Sequence, residues 1–310
     1  MSASAFGDLT VIVDPAAGDG RVGLAVPELE RSLAAHDLPA TIRLATSDAD
    51  ATSIARDALR DGGRFLVAVG DDGTVQAVVN GMFEDGRPIV EGAVLGVVPA
   101  GANCDLVKSF GLPGDVDGAV EHLTGENTYA FDVVKMTCTG PDGGRLTRYG
   151  HNLAEAGFGG AVFRRMDSLP KWIGRARRFI GFWMAFARMR LPNVKVEADR
   201  KIFEGRAYNV VVANAQFTSG GLRLSPRSFP GDGWLDALVF QGPRSEALTM
   251  LPKLYRHGDH IPDPHIQELR AKIRIAVDAD RPLPIVADGA MLGATPATFQ
   301  IVPQSILLKL

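Results

Sequence analysis

Cysteine is nearly absent from this chain: Cys104 and Cys138 are the only two in 310 residues. That excludes a disulfide framework and a cysteine zinc cluster alike. The six histidines, His36, His122, His151, His257, His260 and His265, show no ligand spacing for a metal site. The last three fall in a Pro-rich loop and are expected to face solvent. No serine stands in a Gly-x-Ser-x-Gly elbow, which argues against a hydrolase of that type. No apolar run is long enough to span a bilayer, and MSASAFGDLTVIV lacks a basic segment followed by an apolar signal core. Cytoplasmic residence is therefore expected. Net charge is small as well, 33 Lys and Arg against 36 Asp and Glu. Such a balance supplies no global attraction to nucleic acid or an anionic surface, and no nucleic-acid partner is expected.

What is present is ordinary globular composition, 46% hydrophobic and 22% charged, over a length that suits two domains. Strand patterns at 8–14, 40–45, 65–70 and 93–98 alternate with helix patterns at 22–36, 49–60, 74–83 and 103–110. Residues 115–123 allow one more helix. Regular alternation predicts a doubly wound parallel α/β unit. From about Ala130 the texture changes to short β-like runs at 130–138, 144–155, 194–201, 206–214, 234–240, 271–278 and 297–309, separated by Gly/Pro turns. These predict a second, β-sandwich-like domain. The expected division is 1–130 and 131–296.

The most informative stretch is Phe65 to Gly81, FLVAVGDDGTVQAVVNG, a buried strand that ends in Gly70-Asp71-Asp72-Gly73-Thr74 and passes into a helix. Glycine turns at helix N-termini present free N–H groups and the positive end of a dipole, where phosphates bind. Aspartates beside them could hold magnesium against those phosphates. The motif has neither the Lys-Ser/Thr ending of a Walker A loop nor the spacing of a dinucleotide fingerprint. Leu95 to Leu112, LGVVPAGANCDLVKSFGL, repeats the design with Gly101, Asn103 and Asp105. Leu9 to Gly20, LTVIVDPAAGDG, supplies a third strand end with Asp14 and Gly18. Pro284 to Gly293, PIVADGAMLG, delivers Asp288-Gly289. Glycine-bearing strand ends of a parallel sheet lie along one edge, where ligands sit.

These elements, in this order, resemble the diacylglycerol kinase catalytic-domain family, which includes sphingosine and ceramide kinases and is related to the NAD kinases. The family pattern runs NPxSG, GGDGTxxEVxNG, PxGTxND and a late DGE. Asn209 to Phe240, NVVVANAQFTSGGLRLSPRSFPGDGWLDALVF, matches a further family run that ends in DGxLD. The resemblance covers nearly the whole chain. It departs from the pattern at Asp14, Ala17, Asp71, Ala77, Ala102, Cys104 and Ala290, whereas Gly70, Asp72, Gly73, Thr74, Asn80, Gly101, Asp105, Asp288 and Gly289 are kept.

What the resemblance implies is ATP- and magnesium-dependent phosphorylation of a hydroxyl on a diacylglycerol-like or sphingoid lipid. The phosphate cradle would comprise Asp14, Gly18, Gly70, Asp71, Asp72, Gly73, Thr74, Gly101, Asn103 and Asp105. Magnesium would be held by Asp72 and Asp288. Asp288 would act as general base, with Asp72 as the rival for that role. The resemblance also implies that the last strands, about 297–310, return to the first domain. For each residue a plainer use exists: Thr74 as helix N-cap, Asp72 as turn aspartate, Asp288-Gly289 as hairpin turn. The alternative functions are a nucleotide- or lipid-binding homologue that has lost its chemistry, and an NAD kinase.

Phe163 to Arg190 is the second notable region, with eight cationic side chains against the single acid Asp167. At helical spacing Trp172, Ala176, Phe179, Trp183 and Phe186 form an apolar stripe. The residues fit either a helix lying on the anionic inner membrane surface through Arg164–Arg190, or a helix packing its stripe on the core. Edge strands in either domain also allow a homodimer.

Overall fold

The computed structural model describes residues 4–100, 104–174, 176–218, 220–255, 258 and 260–310. Strands and helices alternate in its first part. β1 (Leu9–Val13) leads through a short 3-10 turn at Ala17–Gly20 into α1 (Arg21–Ala35). β2 (Ala40–Leu44) precedes α2 (Asp48–Arg60), and β3 (Phe65–Gly70) precedes α3 (Asp72–Gly81). A small ladder of β4 (Phe83–Glu84) and β5 (Arg87–Pro88) comes before β6 (Val94–Pro99), α4 (Asp105–Phe110) and α5 (Val116–Glu121). The main strands run parallel in the order β2-β1-β3-β6.

Alternation along these strands divides their side chains between two cores. Ile12, Leu66, Ala68, Leu95 and Val97 meet α2 and α3 on one face. Val11, Val13, Val67, Val69 and Val98 meet α1 and α5 on the other. Burial on both faces explains why β3 and β6 are continuous apolar runs. The unit is the expected doubly wound α/β fold. Gly70 of β3 pairs with Pro99 of β6, so the two strands end level and their following loops stand side by side.

The second part is antiparallel and β-rich. It comprises β7 (Thr128–Thr139), β8 (Arg145–Gly150), β9 (Leu153–Gly157), α6 (Phe158–Asp167), a 3-10 turn at Lys171–Ile173 and α7 (Ala176–Ala187). β10 (Asn193–Ala198), β11 (Lys201–Arg206), β12 (Asn209–Ala213), β13 (Phe217–Thr218), β14 (Leu222–Arg223) and β15 (Leu235–Phe240) come next. α8 (Glu246–Tyr255), β16 (Ile266–Ala271), β17 (Arg274–Ala279), β18 (Pro284–Ala287) and β19 (Ala290–Lys309) complete it. One layer runs β16-β15-β12-β9-β18-β19; the other branches from β19 through β7 to β8 and through β17 to β10 and β11. Between the layers lie Val196, Val210, Val212, Val239, Ile275, Val277, Ile285 and Phe299.

β19 belongs to both parts. Its first half pairs with β17, β18 and β7, and its end pairs in parallel with β6 at Leu307–Val94 and Leu308–Leu95. The kink between the two segments is held by Asp132. This buried carboxylate accepts the N–H of Gln304, a left-handed residue, at 2.7 Å, and that of Gly233 at 2.8 Å.

Several expectations need correction. The run at 144–155 is two strands, because the chain between them turns its N–H groups toward Asp288 instead of a ladder. The stretch from 194 to 214 holds three strands, with Asp199 left-handed at the first turn. Helix α8 was not anticipated. His260 does not face solvent either: it is fully buried, with Nε2 at 2.9 Å from the Leu224 carbonyl. His257 lies outside the described residues. Phe299→Ala should destabilise the protein by about 3–5 kcal/mol, read from urea unfolding, because it opens a cavity between the two layers.

Candidate active site

Three strand ends and one hairpin turn build the site. β3 stops at Gly70, where a Cβ would collide with the Thr74 side chain. Asp71 then caps α3, its Oδ1 accepting the Thr74 N–H at 3.2 Å and lying 3.4 Å from the Thr74 hydroxyl. Asp71, not Thr74, is therefore the N-cap. Thr74 sits one turn in, and its hydroxyl is directed back to the cap.

Asp72 reaches across to the neighbouring strand end. Its carboxylate accepts the Asp105 N–H at 2.9 and 3.0 Å and the Leu106 N–H at 3.3 Å. Cys104 occupies the N-cap position of α4 without a side-chain cap. Asp72 supplies that cap from outside, on the favourable end of the helix dipole. The level ends of β3 and β6 make the reach possible. Burial, ahead of nearby Asp72, pushes the Cys104 thiol well above the usual range, so it stays a neutral, apolar neighbour. Asp105 is fully buried and also committed: Oδ1 pairs with Lys108 Nζ at 2.6 Å, and Oδ2 accepts the Gly220 N–H at 2.8 Å.

Asp288 arrives from the second part of the chain on the β18–β19 turn, with Asp288 and Gly289 both at positive φ. Its Oδ2 accepts the His151 N–H at 2.9 Å. Its Oδ1 accepts those of Asn152 at 3.2 Å and Leu153 at 3.0 Å. Gln76 of α3 adds its side-chain amide at 3.3 Å. A Cβ on Gly150 would stand 2.6 Å from Met136 Cε and 2.7 Å from Asp288 Oδ2, so the glycine leaves room for both side chains. The turn itself rests on the first loop, with a Cβ position at Gly73 4.0 Å from the Asp288 carbonyl.

His151 joins the two carboxylates. The fully buried ring places Nδ1 3.3 Å from Asp288 Oδ2 and Nε2 3.5 Å from Asp72 Oδ1. Burial opposes the imidazolium. Asp288, then Asp72 and Asp105, outweigh it and hold the pKa above the ordinary histidine value. An ion bridging Asp72 and Asp288 directly would compete with this ring for the same space.

The remaining expected residues divide. Asp14 follows β1, accepts the Ala16 N–H at 2.9 Å, and lies close enough to act on both Asp71 and Asp48. Burial first, and then Asp72 and Asp14, push the Asp71 carboxyl up despite the Thr74 N–H. Gly18, with φ 61°, opens a left-handed run through Gly20. Gly101 and Asn103 lie outside the described residues. His151, Asn152, Gln76 and Asn214 were not anticipated. Asn80, noted only as a kept residue, bonds Tyr149 N–H and carbonyl at 2.9 and 2.8 Å and ties β8 to α3. Asn214 donates to the carbonyls of Asp132 and His151. The interruption of the 144–155 run by Gly150-His151-Asn152 was the available signal.

The sign of the His151 effect on stability follows from its raised pKa. Its contribution is complete below the unfolded value of about 6.5 and is lost as pH rises through the higher folded value. In magnesium-free buffer the urea midpoint should fall across that window, and His151→Gln should flatten the slope. An unchanged slope would contradict the assignment.

Comparison with known proteins agrees with this architecture. Residues 8–136 match the family model described as diacylglycerol kinase catalytic domain. Residues 152–309 match the one described as YegS C-terminal NAD kinase beta sandwich-like domain. A diacylglycerol kinase of Staphylococcus haemolyticus is 25% identical over 93% of this chain and 84% of its own length. One from Bacillus subtilis is 26% identical over 82% and 80%. A solved diacylglycerol kinase structure from Bacillus anthracis superposes with a TM-score of 0.69 at 20% identity, covering 99% of this chain and 97% of that one. The two matched segments together take in the glycine-aspartate loop of α3, the capped start of α4 and the Asp288 turn, and the chain belongs to the diacylglycerol kinase family.

Proposed function

We propose that this protein transfers the γ-phosphoryl group of ATP, with magnesium, to a hydroxyl of a diacylglycerol-like or sphingoid lipid. One observation carries the reading. The Asp288 turn of the β-rich part is seated against the Gly70–Thr74 loop of the α/β part, so the carboxylate proposed as acceptor and a phosphate-type loop stand side by side.

The residues fit the groups this chemistry needs. Asp14, Asp71 and Asp72 crowd the strand ends, and Asp71 is raised by burial first and by that company second. Such a cluster gains from a divalent cation. Magnesium characteristically keeps several waters and uses one or two carboxylates, which suits side chains that do not converge on one point. When bound it would neutralise charge on the phosphate oxygens. The α3 N-terminus and the left-handed backbone at Gly18–Gly20 supply N–H groups of the kind that bind phosphate. Among the described residues the one converging ligand trio is Glu246, Asp263 and His265, where Lys253 already neutralises Asp263 at 2.5 Å.

Asp288 is the group assigned to orient the lipid hydroxyl and take its proton late in transfer. The backbone donors of His151, Asn152 and Leu153 hold it in place, and His151 sets its distance from Asp72. No helix among the described residues is long and apolar enough to cross a membrane. The reading places the protein on the cytoplasmic side, where it would meet ATP and approach its lipid from outside the bilayer.

A second reading has a specific observation in its favour. Both carboxylates are occupied, Asp72 by the start of α4 and Asp288 by three backbone N–H groups, as a binding homologue without chemistry would also have them. Phosphate transfer from labelled ATP with magnesium, across diacylglycerols, monoacylglycerols, sphingoid bases and NAD, decides between them. A labelled lipid is expected, with Asp288→Asn lowering turnover on the order of a hundredfold or more. Labelled NADP would make the protein an NAD kinase. ATP binding without any product would establish the binding homologue.

A further inference from the structure

Helices α6 and α7 form a hairpin joined by the turn at Lys171–Ile173, and its outer face is apolar and cationic together. Of the eight large hydrophobic side chains exposed among the described residues, three lie within this one hairpin: Trp172 at 85%, Phe179 at 66% and Trp183 at 44%. Of the two readings open for the stripe, packing on the core does not hold for most of it, because it is largely presented to solvent. Arg164, Arg178, Arg188 and Arg190 are exposed around it. The single acid of the segment, Asp167, lies 3.8 Å from Arg177. This concentration stands on a chain whose net charge is −3.

Two of the exposed rings, Phe179 and Trp183, pack on aromatic neighbours. Phe182 meets Phe158 edge to face at 5.4 Å and Trp183 at 5.5 Å, and Trp183 in turn meets Phe179 at 6.1 Å and Phe186 at 5.7 Å. Gly181 lets α7 lie against the Met166 backbone of α6. At the base of the hairpin Asn209 accepts the Gly159 N–H and donates to Glu155 at 2.9 Å. Gly160 passes so close to the Pro284 carbonyl that a Cβ there would collide with it. Pro284 begins β18, the strand that leads into the Asp288 turn.

We infer that this hairpin docks the protein on an anionic lipid bilayer, Trp172 and Phe179 entering the headgroup–acyl boundary and the arginines facing acidic headgroups. Aromatic side chains favour that boundary, and each cation near an anionic surface adds to the attraction. A second copy of the chain fits less well, because a two-fold interface would set the arginines against themselves. A nucleic acid fits less well too, because the rings pack on one another and do not stand apart as base platforms. The hairpin rides on β18, so docking would bring the Asp288 turn near the bilayer that holds the substrate. That consequence rests on the lipid-kinase reading; the docking itself does not.

The experiment is co-sedimentation without nucleotide, using phosphatidylcholine vesicles with and without about a third phosphatidylglycerol. Binding is expected only with the anionic lipid. Arg164→Gln, Arg188→Gln and Arg190→Gln together should weaken it on the order of a hundredfold. Trp172→Ser with Phe179→Ser should weaken it by about tenfold or more. Turnover on lipid in non-ionic detergent micelles, measured in parallel, should be unchanged in both variants. No binding, binding indifferent to these changes, or self-association that depends on them would overturn the inference. Turnover without vesicle binding would leave the kinase reading standing alone. Vesicle binding without turnover would leave only the docking.

Discussion

The carboxylate of Asp288 accepts the N–H groups of three successive residues, His151, Asn152 and Leu153, and the arrangement of the candidate site depends on it. A chain that turns between two strands exposes N–H groups that no ladder satisfies, and leaving them unpaired inside the protein costs about 1–3 kcal/mol each. One aspartate from a distant turn answers all three. In doing so it fixes the β8–β9 turn, crowds Gly150 together with Met136, and sets the His151 ring between itself and Asp72. The Gln76 side-chain amide and the His151 ring then tie this turn to the α/β part.

Asp72 works in the same way on the other side. Helix α4 begins at Cys104, which has no oxygen to offer, and Asp72 satisfies its first N–H groups from the adjacent strand end. The kept aspartates of the family pattern thus have structural duties that precede any chemistry. The crowding of Asp14, Asp71 and Asp72 gives the same place an appetite for positive charge. Scaffold and site are built from the same carboxylates, and at Cys104 it is Asp72 that satisfies the helix start in place of a capping side chain.

The α6–α7 hairpin shows the opposite relation between packing and exposure. Its aromatic residues pack on one another through Phe182 and keep their outer faces in water. A contiguous apolar surface ringed by cations is costly to maintain in solution unless it has a use. Through Gly160 the hairpin packs on the start of β18, the strand that leads to the Asp288 turn.

Much of this was legible in the chain. The strands at 65–70 and 94–99 were readable because double-sided burial demands unbroken apolar runs. The turns at Gly70–Thr74 and Asp288-Gly289 were readable because sharp turns demand small or turn-forming residues. The basic, aromatic character of 163–190 was equally plain. Which face of that segment met water was not, since helical periodicity describes a stripe without saying what covers it. The role of His151 was also hidden. A lone histidine has no spacing to announce it, and its partners lie 79 residues before it and 137 after it, brought together only when the β-rich part closes on the α/β part. Local patterns determined the elements and their order, because periodicity and turn chemistry act over a few residues. The pairing of carboxylates with their donors was decided by tertiary structure alone, because it depends on which strand ends finish level in space.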